Sequence, residues 1–187
     1  NKNGEIRFGL GGLKGVGEAA IETIITERNK SGHFKDMVDF IKRVLSRSVN
    51  KKSLESLAYS GTFDCFPEYH RAQFFHVADG DRTNGLEKLI NYAQALQNVN
   101  AGTTNTLFGD LPSAMQVPVP KITVCEEWTL TEKLDHEKDI TGMFMSGHPL
   151  DHFSFEMRHY QFTPINDFNE VRDTLSVNLN QLGRNFK

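Results

Sequence analysis

The chain has 187 residues, of which 38% are hydrophobic, with a formal charge of −3 at pH 7 and two cysteines. That length fits one or two domains of ordinary size, and the low apolar share leaves part of it to loop or tail. No apolar run is long enough to span a membrane, and Cys65 and Cys125, far apart and without metal-type spacing, read as free thiols of a reducing cytoplasm. The opening Asn1-Lys2-Asn3-Gly4 is polar and no signal peptide; without a starting Met, the chain reads as a piece of a longer protein. The net charge hides an asymmetry. Residues 1–60 carry eleven Lys or Arg against seven Asp or Glu, and the rest carry ten against seventeen. A basic head suits a polyanion, and an acidic rear avoids one.

Glu5–Leu10 alternates polar and apolar residues and predicts a short strand. Gly9, Gly11, Gly12, Gly15 and Gly17 then demand tight backbone geometry. From Glu18 the pattern turns helical, with Ala20, Ile21, Ile24 and Ile25 on one face and Gly32 as the stop. Asp36 is placed to cap a second helix with an apolar stripe of Val38, Phe40, Ile41 and Val44. Asn50 caps a third that runs to Ser60 and stops at Gly61. Tyr69–Ala78 and Leu86–Gln97 predict two more helices, with turn signals at Asp79-Gly80-Asp81 and Asn84-Gly85. The uncharged Asn, Thr, Gly and Pro of 98–120 read as an irregular linker, interrupted by the apolar pair Leu107-Phe108. Helical character resumes from Thr131 to about Met145. Ser146-Gly147-His148-Pro149 breaks it, and Pro149 opens a further helix to Tyr160. Leu175, Val177 and Leu179 alternate as an opening strand does.

The sharpest motif is Leu13-Lys14-Gly15-Val16-Gly17-Glu18 leading into the amphipathic run to Ile24, the pattern of a helix-hairpin-helix. Two glycines let the backbone approach a phosphate with no Cβ in the way. The unpaired amides at the start of the next helix point at that phosphate, and the helix dipole favours the anion. Lys14 adds charge, and such a contact reads backbone and not sequence. The alternatives are a plain glycine turn before a core helix and a dinucleotide fingerprint, whose G-x-G-x-x-G spacing is not met because Ala20 follows Gly15 and Gly17. Arg28, Lys30, Lys35, Lys42, Arg43, Arg47, Lys51 and Lys52 either extend a basic surface or line solvated helix faces.

Phe63-Asp64-Cys65-Phe66 and Phe74-Phe75 read as core, and His136-Glu137-Lys138-Asp139 as the exposed face of a helix. His148-Pro149-Leu150-Asp151-His152 has no matching ligand pair, so no metal site is expected. No paired-carboxylate site, Ser/His/Asp set or Walker loop is present, so no catalytic residues are expected.

Three segments in series carry a family resemblance: Ile6–Leu10 leading into Leu13–Glu18; Asp39-Phe40 and Arg43-Val44 with Val49–Leu57 and Ser60–Asp64; and Gly142–Asp151. Together they resemble the alpha subunit of bacterial DNA polymerase III, the C-family replicative polymerase. The resemblance implies a mainly α-helical chain divided as a helix-hairpin-helix domain over 1–97, a flexible loop over 98–125, a helical connector over 126–173 and the start of an OB-fold domain over 174–187. It implies a non-catalytic region that grips duplex DNA through Lys14, Gly15, Val16, Gly17, Glu18, Lys51 and Lys52 and docks on the sliding clamp, with other replisome subunits as further partners and no membrane. Catalysis with Mg²⁺ and dNTPs is implied for the parent polymerase, with no cofactor in this region.

The family's clamp motif runs from a Gln through two variable residues to an apolar-Phe pair and Gly. The matching stretch is Thr104-Asn105-Thr106-Leu107-Phe108-Gly109, with Thr104 where the family has Gln. On residues alone, Leu107 and Phe108 fit either a plug for a partner or a segment folded back on its own domain. The competing readings are the helix-hairpin-helix domain of a repair nuclease or ligase, which requires carboxylate or lysine chemistry, and a protein-interaction module whose hairpin is only structural.

Overall fold

The computed structural model describes residues 8–100 and 117–160 and a few positions beyond. Within them lie seven α-helices and no strand, so the chain is mainly α as expected: α1 Glu18–Ser31, α2 Met37–Val44, α3 Lys51–Tyr59, α4 Arg71–Phe75, α5 Gly85–Asn100, α6 Leu130–Thr141 and α7 Ser154–His159. Contacts divide the chain into two compact units, Asn1–His148 and Pro149–Lys187. In the first unit α6 packs on α3, and Ile122, from the extended stretch before α6, is buried in the core.

The helices start and stop where short-range chemistry dictates. Asp36 accepts the Asp39 N–H at 2.6 Å, and Asn50 accepts the Ser53 N–H at 3.1 Å. These side chains satisfy amides that have no partner inside a first helical turn. Asn84 and Glu87 exchange side-chain-to-backbone bonds of 2.9 Å across the start of α5, and Thr129 and Glu132 do the same for α6. Gly32 and Gly61 end α1 and α3 at positive φ, where a Cβ is strained. Met37, Phe40, Ile41, Val44, Leu54, Leu57, Phe63, Phe74, Leu86 and Leu89 form one buried core. Phe66 is buried with them, as expected, whereas Phe75 lies at the margin, stacked on Tyr59 at 3.9 Å.

Several boundaries differ from expectation. Of the predicted strand Glu5–Leu10, residues 5–7 lie outside the described ones. Leu10 opens a 3-10 turn, Leu10–Gly12, in which Gly12 donates to the Gly9 carbonyl. The helix expected over Tyr69–Ala78 is only Arg71–Phe75, because the chain turns extended at His76. The one expected to begin at Pro149 opens as a 3-10 turn, Asp151–Phe153, before α7. The segment expected to continue helically to Met145 ends at Thr141. Gly142 adopts the left-handed conformation, and the Met145 and Ser146 amides fold back onto one oxygen of Glu137, both at 2.8 Å. Leu175–Leu179 and the OB-fold start lie outside the described residues.

Glu137 is the largest departure. Read from sequence as part of an exposed face, its side chain is fully buried. It accepts from Arg71 Nη1 at 2.7 Å and from the Ser146 hydroxyl. Arg71, itself buried, grips Asp64 through Nε and Nη2 and donates to Ser146 Oγ at 3.1 Å. The guanidinium lies over Gly61, where any Cβ would collide with it. Burial alone would raise the Glu137 carboxyl, but bonds from Ser146 and Arg71 and the two backbone amides hold it below its ordinary value.

Breaking such a buried pair strands a charge. Arg71→Met is expected to lower the unfolding free energy by about 3–5 kcal/mol in urea titrations. The double variant Arg71→Met/Glu137→Leu should lose much less than the two single losses combined, because neither charge is left alone. An unfolded glutamate titrates near about 4.3. A folded value below that makes the contribution of Glu137 complete above the unfolded value and lost as pH falls through the folded one. Acid titration of stability should therefore be shallower in the double variant than in the parent chain.

Candidate nucleic-acid interface

The hairpin is built from its apolar residues outward. Leu13 and Val16 are buried in the core, and Ala20 is buried one turn into α1. They fix the loop, leaving Lys14, Gly15, Gly17, Glu18 and Ala19 at the surface. Gly15 has φ 87°, and a Cβ there would sit 2.5 Å from Ser56 Oγ. Ser53 and Ser56 of α3 are both buried beneath the loop, and Ser53 Oγ donates to the Gly15 carbonyl at 3.3 Å. Two small polar side chains on the inner face of α3 thus let the hairpin backbone come close. Their spacing of three, beside the buried Leu54 and Leu57, is the signal the sequence carries for this approach.

Gly17 differs from Gly15. It precedes α1 in extended conformation, φ −74°, with nothing within 4 Å of where a Cβ would be. It supplies no side-chain cap. The backbone N–H groups of Gly17, Glu18 and Ala19 have no acceptor among the described residues. At α2, α3, α5 and α6 a side-chain oxygen closes the helix start, while at α1 the donors face solvent. Open amides and the positive end of a 14-residue helix can accept an anion. The Glu18 side chain is exposed and contributes here through its backbone N–H.

The lysines expected around this site divide. Lys52 Cε would lie 3.8 Å from a Cβ on Gly15, and Lys52 has no ion pair among the described residues. Lys51 instead pairs with Glu87 of α5 at 2.6 Å and Glu55 at 3.7 Å. The Glu87 carboxylate raises its ammonium above the ordinary range. Arg43 is likewise drawn inward. It bonds Glu27 and Asp39, each at 3.0 Å, and the Gly32 carbonyl, and lies over the Phe34 ring. It ties the end of α1 to α2 and adds little to a basic face. Lys42 lies over the Tyr92 ring. Lys14, Arg28, Lys30, Arg47 and Lys52 are exposed and without an ion pair among the described residues.

Thr104, Leu107 and Phe108 lie outside the described residues. Among the described residues, no three His, Cys, Asp or Glu side chains group to hold a metal ion. No described helix is long and apolar enough to cross a membrane.

Residues 1–74 match the helix-hairpin-helix motif family. The DNA polymerase III subunit alpha of Pseudomonas fluorescens is 36% identical over 184 residues, covering 95% of this chain. That of Vibrio cholerae is 32% identical over 175 residues, 94% of the chain, and that of Escherichia coli K12 is 32% identical over 160 residues, 86% of the chain. The chain belongs to the DNA polymerase III alpha subunit family. It spans 16%, 14% and 13% of the length of those three relatives respectively.

The two hairpin glycines make separable predictions. Gly15→Ala forces a side chain into left-handed backbone and onto Ser56, and is expected to cost about 1–3 kcal/mol of stability. Gly17→Ala meets nothing, and its stability should stay within about 0.5 kcal/mol of the parent. Paired thermal or urea melts check both.

Proposed function

We propose that this chain is a duplex-DNA-holding region of a replicative polymerase, with no chemistry of its own. The observation that carries the reading is the open start of α1. The amides of Gly17, Glu18 and Ala19 have no acceptor among the described residues, nothing stands within 4 Å of a Cβ built on Gly17, and two exposed lysines, Lys14 and Lys52, flank the hairpin. A phosphate accepts those amides and gains from the helix dipole and the nearby cations. The contact is indifferent to base sequence, as holding a moving duplex requires. The family relation supports DNA as the source of the phosphate.

The second part of the proposal is the clamp. Leu107 and Phe108 form an apolar pair in a nearly uncharged stretch that follows α5, the pattern of a short peptide plug presented to a partner groove. Thr104 stands where the motif has Gln and offers a short hydroxyl in place of the longer side-chain amide. Two weak attachments, one to the duplex and one to a ring around it, reinforce each other through effective concentration. Polymerisation with Mg²⁺ and dNTPs, and the remaining replisome contacts, are assigned to the parts of the parent polymerase outside this chain.

Duplex binding across a salt series tests the first part. Affinity should fall steeply with salt, and Lys14→Glu should weaken binding to unrelated sequences alike and flatten the salt slope. Gly17→Ala should weaken binding while leaving the melt unchanged. A salt-independent affinity, or full binding by both variants, would remove the hairpin from the interface. Cleavage of the duplex by the purified chain with Mg²⁺ would favour a nuclease instead. Sliding-clamp capture by the chain, lost on Phe108→Ala, tests the tether independently.

A further inference from the structure

The DNA-facing hairpin is not held by its own helix pair alone. The Lys14 N–H donates to the carbonyl of Ile140 at 3.0 Å. Ile140 lies in the last turn of α6, whose carbonyls lack intrahelical partners. The Gly142 amide closes on Lys138, and the Thr141 hydroxyl bonds the Glu137 carbonyl, which leaves the Ile140 oxygen directed at the hairpin. Residues of the two segments, Phe8, Leu13, Thr141 and Met145 among them, line one cleft of about 320 Å³ together with Gly61.

What fixes the end of α6 is one turn back. Glu137 binds Arg71 with one oxygen and draws the Met145 and Ser146 amides down with the other. Arg71 is in turn gripped by Asp64, just beyond α3, the helix that supports Gly15 from below. The hairpin is therefore set between α3 and the end of α6, and the buried ion pair fixes the spacing between those two.

We propose that Glu137, with Arg71, is a positioning residue for the DNA-binding hairpin: it holds the Ile140 carbonyl where the Lys14 amide needs it, and so sets the presentation of the Lys14–Ala19 backbone to phosphate. This rests on the hairpin reading above and adds to it a control point that touches no DNA. Loss of the pair frees the α6 terminus, removes the Lys14 bond and loosens the loop that the phosphate requires preorganised.

The test uses the 187-residue chain with Glu137→Gln and the milder Ser146→Ala, which removes one bond to the carboxylate at an exposed position. Ile90→Ala, in α5, serves as a core-destabilising control. Two quantities are read under conditions where each variant is folded: duplex affinity, and hydrogen exchange of the Lys14 amide. Glu137→Gln should weaken affinity about three- to tenfold and accelerate Lys14 exchange, with smaller changes in the same direction for Ser146→Ala. The control should move neither. Unchanged Lys14 exchange in both variants, or equal acceleration in the control, overturns the proposal. If Lys14→Glu leaves affinity intact, the DNA reading is what fails, and the exchange measurement still decides the coupling.

Discussion

The guanidinium of Arg71 gathers three stretches of chain that would otherwise be independent: the Asp64 turn after α3, the middle of α6 and the Ser146 loop. Its planar fork suits that task because it presents several donors at fixed angles, which a lysine ammonium does not. The geometry demands a glycine at position 61, since a Cβ there would occupy the guanidinium's place. It also demands that Glu137 remain ionised in the interior, which the Ser146 and Arg71 side chains and the two backbone amides make possible against the cost of burial. A hydrophobic substitute of similar volume could fill the space, but it would not direct the loop after α6. The network's contribution is specificity of arrangement as much as stability.

The same logic separates structural from available polar groups across the first unit. Helix starts that belong to the scaffold are closed by Asp36, Asn50, Asn84 and Thr129. Cations that belong to it, Arg43 and Lys51 among them, are matched to carboxylates. Among the described residues the start of α1 stays open, with Lys14 and Lys52 beside it making no ion pair. An unsatisfied donor in the interior would be costly, but the hairpin holds its donors at the surface, where water substitutes until an anion arrives.

How much of this could be read from sequence followed the range of the interaction. The Asp36 and Asn50 caps, the Gly32 and Gly61 stops and the Gly15-Val16-Gly17 turn are settled within a few residues, and they appear where local pattern puts them. The start of α6 was legible too, since Thr129 and Glu132 have capping-box spacing, although helical periodicity alone suggested Thr131. Glu137 was not legible. A glutamate between His136 and Lys138 looks like a solvated helix face, and its partner is 66 residues away. Lys51 and Lys52 are neighbours of one type in sequence. The approach of α5 to α3 gives Lys51 its shorter carboxylate contact, Glu87 at 2.6 Å, while Lys52 lies beside the hairpin.

That division bears on how the hairpin should be regarded. Its motif is local, and residues 1–74 suffice to match it. The bond that holds Lys14 comes from Ile140, and the pair that fixes Ile140 joins Arg71 to Glu137, so the working conformation depends on residues from both sides of 98–125. The parts on its two sides therefore fold as one compact unit. The length of that stretch must span from the end of α5 to Ile122 in the core while the candidate clamp peptide lies within it. Any ring that engaged Leu107-Phe108 would pull on a segment anchored at both ends to the body that carries the hairpin. Attachment to a ring at that peptide and grip on the duplex at the hairpin would then belong to one chain, the case in which linking two weak sites raises the effective concentration of each for its target.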